Sequence, residues 1–293
     1  MKSLKEMQET ALDATKPGTV NPVEMLRLEA LTSFEKYTKL MFKCQYKRSF
    51  IVAEHHKKMF EVLQDVVDGK ITRLIINIAP RYGKTELVIK SFISWAFALN
   101  PRCRFLHLSY SDILVNDNSD TVRNIMSEEL YKTLFPNSAL ASEKGSAKRW
   151  KTKAGGELYA VSTQGQVTGF GAGAVDEEID KMDGGNDIFV FDDHTNEMLK
   201  MIDAKTNIFQ GAIVIDDPLK ADDAASDLIR ERINQRFENT IRNRVNSRRT
   251  PIIIIMQRLH EHDLCGYLQE IEPDTWTVLS LPVIQTDPET GEE

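Results

Sequence analysis

The chain has 293 residues, of which 41% are hydrophobic and 28% are charged, and its formal net charge is −7. This composition supplies enough apolar side chains for one large core or two smaller ones, and it excludes a disordered or fibrous protein. The acidic balance also excludes a globally basic surface, so any contact with nucleic acid has to come from a local basic patch.

The cysteine and hydrophobicity patterns bear on the cellular compartment. Cys44, Cys103 and Cys265 are far apart and form no C-x-x-C pair, which argues against a disulfide framework and against a zinc site. The N-terminus lacks the apolar run of a signal peptide, and the most apolar run, residues 251–256, is too short to cross a bilayer. We therefore expect a soluble protein of a reducing, intracellular compartment, with no membrane partner.

The N-terminal part is predicted to contain an arm and helices. Residues 1–22 are polar, contain proline and glycine breakers, and are expected to be flexible. Apolar residues at helical spacing predict a helix over residues 22–42 and a second helix over residues 53–67. His55 and His56 lie near the start of the second helix. Because adjacent residues point to different sides of a helix, we expect them to be surface residues rather than joint metal ligands.

An apolar strand, a tight loop and an apolar helix follow one another over residues 74–99. Backbone N–H groups of such a loop can bind phosphate oxygens, Lys84 can reach the outer phosphates, and the Thr85 hydroxyl can bind Mg²⁺. The usual phosphate-loop motif has a first glycine where this chain has Ile78. On these residues alone, an ordinary strand-to-helix turn with an exposed lysine remains the alternative.

Residues 105–109 form the next predicted strand, and the order strand, helix, strand implies a right-handed crossover in a parallel sheet. A further short strand is predicted at residues 158–161, followed by a glycine-rich loop. Residues 211–215 predict an apolar strand that ends in Asp216 and Asp217. At the carboxyl end of a parallel strand, Asp216 could hold Mg²⁺ and Asp217 could act as a base or orient a water. The alternative is a helix cap or a turn.

Two charged segments flank this strand. Residues 174–205 contain ten acidic residues and three lysines, a net charge of −7, and we interpret them as an exposed acidic insertion. A metal site at residues 192–194 is possible there, but a solvated loop is the simpler interpretation. Residues 227–249 contain seven arginines and three acids, with apolar residues every four positions that predict a long helix. These arginines either form a solvated face or contact phosphates of DNA or of a neighbour's nucleotide.

Residues 251–256 are apolar on both faces, which is typical of a central parallel strand. We expect this strand to lie next to the phosphate-loop strand, so Gln257 at its end is placed where a sensor of the γ-phosphate would lie. The following run, residues 260–263, contains two histidines and two acids. A metal cluster is unfavourable there because four consecutive side chains cannot all converge on one ion.

Three of these segments, in this order, resemble the ATPase motifs of the large terminase subunit of tailed bacteriophages. They are residues 79–87, residues 215–220 and residues 256–264, and the resemblance extends over residues 55–281. In that family the phosphate loop commonly lacks its first glycine. The resemblance implies an α/β P-loop NTPase fold with a mostly parallel central sheet and helices on both faces. It also implies a motor that hydrolyses ATP to move double-stranded DNA into a procapsid.

The resemblance assigns roles to individual residues, with ATP and Mg²⁺ as cofactors. Asp217, Arg81 and Lys84 would be catalytic, and Thr85 and Asp216 would bind the metal. The nucleotide would contact Pro80, Arg81, Tyr82, Gly83, Lys84, Thr85, Glu86 and Gln257. Many relatives of this ATPase class have Asp-Glu at the second motif, where this chain has two aspartates. Glu261 and Glu86 are therefore the alternatives to Asp217 as the carboxylate that positions water.

The same resemblance implies partners and a domain plan. The partners would be double-stranded DNA, a portal protein, the small terminase subunit and further copies in a ring, at the portal vertex in the host cytoplasm. An arginine from residues 236–249 of a neighbour could complete the ATP site. We expect an ATPase domain over residues 23–282, a linker that begins at residues 283–293, and no nuclease activity. Two other functions stay open: another DNA-dependent or helicase-like P-loop ATPase, and a non-catalytic assembly remnant.

Overall fold

The computed structural model describes residues 21–142, 146–167, 169–174 and 193–282. The predicted arm, most of the acidic insertion and the predicted linker lie outside these residues, apart from two residues at the end of the arm. Within the described ranges, no helix combines the length and the apolarity that a membrane crossing requires.

The described strands form one seven-stranded sheet. They are β1 (Arg73–Ile78), β2 (Arg104–Ser109), β3 (Arg149–Lys151), β4 (Glu157–Ser162), β5 (Ile213–Asp216), β6 (Ile252–Met256) and β7 (Thr277–Leu281). Their order across the sheet is β3-β4-β2-β5-β6-β1-β7, and β3 alone pairs in antiparallel fashion, with β4. The predicted mostly parallel sheet is confirmed, as is the predicted contact between the phosphate-loop strand β1 and β6.

Nine α-helices lie among the described residues, and they pack on both faces of the sheet. They are α1 (Pro22–Thr32), α2 (Phe34–Tyr46), α3 (Glu54–Val67), α4 (Phe92–Leu99), α5 (Asp112–Ser127), α6 (Glu129–Leu134), α7 (Asp193–Ile208), α8 (Asp227–Arg236) and α9 (Leu264–Ile271). Because side chains alternate along a strand, Ile76 and Ile255 join the core under α1–α7, whereas Ile75 and Ile254 join the core under α8 and α9. The predicted α/β fold class with helices on both faces is confirmed.

Two strands were not predicted from the sequence. β3 has three residues, of which Trp150 is buried and both neighbours are exposed, so it carries too little periodicity to be recognised. β7 is an edge strand whose first four residues are exposed or partly exposed, and it lacks the apolar run that marks β6. These two strands form the outer edges of the sheet, where a weak hydrophobic pattern is expected because one side of the strand faces solvent.

The helical predictions need two corrections. The helix predicted over residues 22–42 is two helices, because Ser33 has an extended backbone and its side chain caps α2 by accepting a hydrogen bond from Lys36 N at 3.3 Å. The interpretation of residues 193–205 as a solvated acidic loop is wrong, since they belong to α7. Within α7, Thr195, Met198 and Lys205 are buried at helical spacing, and the acids lie between them.

Two helices contain a π-helical segment. Glu86–Ser91 leads from the phosphate loop into α4, and Phe237–Ile241 extends α8 before a short 3₁₀ turn at Arg242–Arg244. A step of four residues advances about 40° beyond one turn of an α-helix, so apolar residues spaced by four would drift around it. The wider π turn offsets this drift, and Phe237 and Ile241 remain buried together.

Candidate nucleotide-binding site

The phosphate loop lies between β1 and the helix that begins at Lys84. Gly83 and Arg81 both have left-handed backbones, with φ of +77° and +68°. Glycine adopts such a backbone without steric cost, whereas arginine does so rarely. The sequence therefore favours this conformation at Gly83, and the backbone is strained at Arg81. Gly83 O accepts a hydrogen bond from Leu87 N at 2.9 Å, which joins the turn to the first turn of the helix.

Lys84 and Asp217 form an ion pair at the end of the sheet. The lysine is almost fully buried, and the carboxylate is about one quarter exposed. Asp217 also lies 3.4 Å from the backbone N of Gln257 through its Oδ1 atom. The described contacts of the lysine ammonium are therefore made to the acid that the sequence analysis assigned to water activation.

Thr85 and Asp216 form the second contact between the same two segments. The Thr85 hydroxyl donates to Asp216 Oδ2 at 2.8 Å, whereas Asp216 Oδ1 is buried without a hydrogen-bond partner. Burial is the largest cause that raises the pKa of Asp216 to about 6, and the neighbouring Asp217 charge adds to it. Lys84 and Thr85 act in the opposite direction. The structure thus brings the predicted metal ligands Thr85 and Asp216 together across 131 residues of sequence.

The backbone explains how two consecutive acids reach the same loop. Successive side chains of a strand point to opposite faces, so a regular strand would separate Asp216 from Asp217. Asp217 instead has a φ of +46°, which ends the strand geometry and directs its side chain to Lys84. Its backbone is held on both sides, because Asp217 N donates to Ile255 O at 2.9 Å and Tyr110 N donates to Asp217 O at 3.0 Å.

The remaining predicted loop residues divide into two groups. Pro80, Arg81 and Tyr82 are exposed at the outer side of the loop. Glu86 faces away from the acids, since its Oε2 atom accepts from Lys90 at 3.0 Å and from the Tyr46 hydroxyl at 3.1 Å. The structure therefore places Glu86 in a contact between helices.

Two clefts border the loop. One of about 260 Å³ is lined by Glu54, His55, Ile78, Ala79, Tyr82, Leu281 and Pro282. The other, of about 330 Å³, includes Asn77, Pro80, Gln257 and Ser280, and Asn77 Oδ1 is buried there without a hydrogen-bond partner. The predicted nucleotide contact Gln257 thus lies beside the loop. A larger cleft of about 500 Å³ lies along α8 and reaches Pro218, but it does not include the loop.

His55 and His56 are not the simple surface residues that the sequence suggested. Both are partly buried, and the His55 ring lies 5.4 Å from the Tyr82 ring. Burial and His55 lower the pKa of His56, and the backbone carbonyls of Tyr82 and Ile51 act weakly in the opposite direction. The sequence signal that could have identified them is their place in the first turn of the helix that precedes the loop strand.

The arginines of the predicted long helix have different environments. Arg236 donates to the backbone carbonyls of Thr163 and Gly165, and Arg242 is bound to Glu238 and Glu272. Arg248 and Arg249 are exposed in the turn before β6. Of the range proposed to serve a neighbour's site, Arg236 and Arg242 are therefore engaged within their own chain.

The polar run after β6 is organised as a helix cap. The Asp263 carboxylate accepts hydrogen bonds from the backbone N atoms of Leu259 and Gly266, both at 3.0 Å, and from the Arg258 side chain. Glu261 is exposed. In the residues that the structure describes, no group of three or more His, Cys, Asp or Glu side chains is arranged to hold a metal ion.

No protein-family model matches the sequence, and no curated protein matches it either. Among solved structures, the chain is similar to the crystal structure of the HK97 bacteriophage large terminase, with a TM-score of 0.48 and 12% sequence identity. The similarity covers 82% of this chain and 41% of that chain, so this chain spans less than half of the terminase's length.

Proposed function

We propose that the protein is a Mg²⁺-dependent ATPase whose hydrolysis drives movement of double-stranded DNA, as in the large terminase subunits that its motifs resemble. The observation that carries the ATPase part is the meeting of Lys84 and Thr85 with Asp217 and Asp216 at the carboxyl ends of β1 and β5. Lysine, hydroxyl and paired carboxylates at this edge of a parallel sheet are the groups that bind and cleave a nucleotide triphosphate.

The residues fit Mg²⁺ and a nucleotide. Asp216 offers a buried carboxylate oxygen that has no hydrogen-bond partner, beside the Thr85 hydroxyl, and oxygen ligands of this kind suit Mg²⁺. Bound there, Mg²⁺ would also favour the ionised form of Asp216, which burial disfavours. Loop N–H groups and Lys84 would bind the phosphates. The clefts lined by Tyr82 and by Gln257 offer space for the rest of the nucleotide.

The Lys84–Asp217 ion pair suggests how binding prepares hydrolysis. A bound phosphate would compete with the Asp217 carboxylate for the ion pair with the Lys84 ammonium. Asp217, released from that pair but still held through its backbone, could then accept a hydrogen bond from the attacking water. Lys84 would stabilise the charge on the outer phosphate oxygens in the transition state. Catalysis of this type depends mainly on positioning and electrostatics.

The DNA-motor part of the proposal rests on the ordered resemblance of the three motifs to terminase motors. Its partners would be double-stranded DNA, a portal protein, a small terminase subunit and further copies in a ring. Arg248 and Arg249 are the exposed arginines of the range considered for a neighbour's site. In a ring, such an exposed side chain could reach the nucleotide of a neighbouring subunit.

The first test of the ATPase proposal is Mg²⁺-dependent binding of a fluorescent ATP analogue. The wild-type protein should bind in Mg²⁺ and bind less when Mg²⁺ is chelated. Lys84→Ala should weaken binding, because the buried ammonium contributes its charge to the phosphates. Lys58→Ala, an exposed lysine of α3, is the matched control and should bind normally. Equal binding by the Lys84 and Lys58 variants would exclude the phosphate loop as the site.

Two alternatives are separated by adding DNA. A helicase-like ATPase would separate strands of a partial duplex in an ATP-dependent manner, whereas a packaging motor should be stimulated by duplex DNA without separating it. A non-catalytic assembly protein would bind nucleotide without releasing phosphate. Each assay uses the same purified protein, so one preparation decides among the three functions.

A further inference from the structure

His56 makes contacts on both edges of its imidazole ring. It belongs to the first turn of α3, and its ring centre lies 3.9 Å from that of His55 and 5.0 Å from that of Phe50. The ring is thus packed between two aromatic neighbours and points toward the phosphate loop. It is also partly buried, which distinguishes it from the exposed Lys57 and Lys58 that follow it.

The Nδ1 edge of His56 fixes the start of α3. Ala53 N donates to His56 Nδ1 at 3.1 Å, and Ala53 itself has no side-chain acceptor for helix N–H groups. This is the half of a capping box in which the third helical residue reaches back to the cap residue. Because Nδ1 accepts this hydrogen bond, the proton of the neutral ring lies on Nε2.

The Nε2 edge lies against the phosphate loop. A Cβ atom placed on Gly83 would come within 3.1 Å of His56 Nε2, so the ring closely approaches the glycine backbone. Burial lowers the pKa of His56 overall, although interaction with the Tyr82 backbone acts to raise it. Pro80, Arg81 and Tyr82 are exposed, whereas Gly83, beside the imidazole, is partly buried.

We propose that His56 is a positioning residue for the phosphate loop. Its Nε2 edge would hold the Gly83 backbone in its left-handed conformation, in which the N–H groups of the loop could bind phosphates. The inference rests on the proposed nucleotide function of that loop. A glycine-containing loop loses conformational entropy when it becomes ordered around a ligand. If the His56 side chain already orders the loop in the free protein, the entropic cost of binding is smaller.

The cap contact at Nδ1 and the loop contact at Nε2 can be tested separately with different substitutions of His56. In His56→Asn, the shorter amide can replace Nδ1 as the acceptor of Ala53 N, but it cannot reach the loop. In His56→Gln, the longer amide can either accept from Ala53 N, as Gln does at this position of a capping box, or reach toward the Nε2 position, but it cannot do both at once. His56→Ala removes both contacts. The loop contact should govern nucleotide affinity, and the cap contact should govern thermal stability.

The experiment measures Kd for a Mg²⁺-bound fluorescent ATP analogue, kcat and KM for ATP, and the melting temperature. His56→Asn should keep the wild-type melting temperature while Kd and KM rise about tenfold and kcat at saturation changes little. His56→Gln should bind nucleotide more tightly than His56→Asn, with a melting temperature between those of the Asn and Ala variants, because its one amide serves the cap and the loop in turn. Lys58→Ala, on the same helix, should match the wild type in every value.

Two results would overturn the inference. One is a His56→Asn protein that binds nucleotide as tightly as the wild type. The other is a series in which Kd follows the melting temperature through Asn, Gln and Ala, because that pattern indicates a structural role alone. Lys84→Ala is included to separate this failure from that of the proposed function: if it also binds like the wild type, the loop is not a nucleotide site.

Discussion

At the residue scale, the two adjacent aspartates have different environments. Asp216 is buried against Thr85 with one oxygen lacking a partner, whereas Asp217 is partly exposed and faces Lys84. Burial of a carboxylate costs folding free energy, and the Thr85 hydroxyl compensates only one of the two Asp216 oxygens. The environment of Asp216 should affect both the melting temperature and the pH dependence of stability.

The stability prediction is that Asp216→Asn raises the melting temperature of the protein without ligand. The amide removes the buried negative charge and the repulsion from Asp217, while its oxygen can still accept from Thr85. The same change should weaken Mg²⁺-dependent ATP binding, because the metal loses a charged ligand. Thermal unfolding with and without Mg²⁺ and ATP measures both effects. A variant that melts lower than the wild type without ligand would contradict the assigned environment.

The pH prediction follows from the raised pKa of Asp216. Its folded-state pKa of about 6 lies above the ordinary value of 3.8, so the folded state binds a proton more readily than the unfolded chain. This group therefore makes the protein more stable as pH falls from about 7 toward 4, by up to about 1.4 kcal/mol per pH unit. Asp216→Asn lacks this titration.

The measurement is the free energy of unfolding in urea, without Mg²⁺, for the wild type and Asp216→Asn at several pH values. The stability advantage of the variant should shrink as the pH is lowered through 6 toward 4. If the stability advantage of Asp216→Asn over the wild type grows on acidification, or does not change, the pKa of Asp216 is not raised in the folded protein.

The contacts of the candidate site were only partly predictable from the sequence. The phosphate-loop lysine and threonine and the two aspartates were recognisable from residue type and order. The Lys84–Asp217 pair was not, because it depends on the left-handed backbone of Asp217, and no local residue pattern specifies that conformation. His56 was assigned to the surface because its loop contact joins segments that are separate in sequence.

At the element scale, hydrophobic pattern decided which elements could be predicted. β6, with five consecutive buried apolar residues between β5 and β1, was predicted with its bounds. α7 was not, since the acids between its buried positions concealed the helical spacing of Thr195, Met198 and Lys205. The charge of a segment reflects its solvent-exposed residues, whereas its packing against the core depends on the few residues that face inward.

The arginines of α8 and the following turn yield an element-scale prediction. Arg236→Ala should lower the free energy of unfolding by about 1–3 kcal/mol, because two backbone carbonyls lose their donor. The double variant Arg248→Ala/Arg249→Ala should keep the wild-type stability, since both side chains are exposed. Urea unfolding of the two proteins checks this difference. Equal losses would show that the exposed pair also supports the fold.

At the scale of the whole molecule, the sheet order explains how distant motifs meet. β1 and β5 are separated by β6 alone, so the loop after β1 and the acids after β5 lie at the same edge of the sheet. Parallel strands with a common direction place all their carboxyl ends there. The fold class and this edge could be predicted from the sequence, whereas the outer strands β3 and β7 could not.

Assembly is a prediction at this scale. If a neighbour contributes an arginine, the ATPase rate per subunit should rise with protein concentration and with duplex DNA, because the complete site forms only in the assembled state. The Arg248→Ala/Arg249→Ala variant should lose this rise and keep the basal rate. A rate per subunit that stays flat for the wild type, and is unchanged in the variant, would exclude a contribution from this turn.

Nuclease activity is expected to be absent. In the described residues, Asp216 and Asp217 belong to the proposed ATP site, and no group of three or more His, Cys, Asp or Glu side chains is arranged to hold the metal ions of phosphodiester cleavage. Incubation of supercoiled plasmid with pure protein in Mg²⁺ or Mn²⁺ measures this. Efficient cleavage would mean that these carboxylates have been assigned to the wrong reaction.

The central claim is that the contacts between the loop and the two aspartates form an ATP-hydrolysing site. The most direct test is steady-state phosphate release by the wild type, Lys84→Ala, Asp217→Asn and the control Glu261→Gln. Asparagine tolerates the left-handed backbone at position 217, so Asp217→Asn removes the charge without forcing a new conformation.

We expect hydrolysis by the wild type and by Glu261→Gln at the same rate, and ATP binding without appreciable hydrolysis by Asp217→Asn. Turnover by Lys84→Ala should fall by about 10²-fold or more. Asp217→Asn hydrolysing at the wild-type rate, or Glu261→Gln losing activity instead, would contradict the assignment of the catalytic carboxylate.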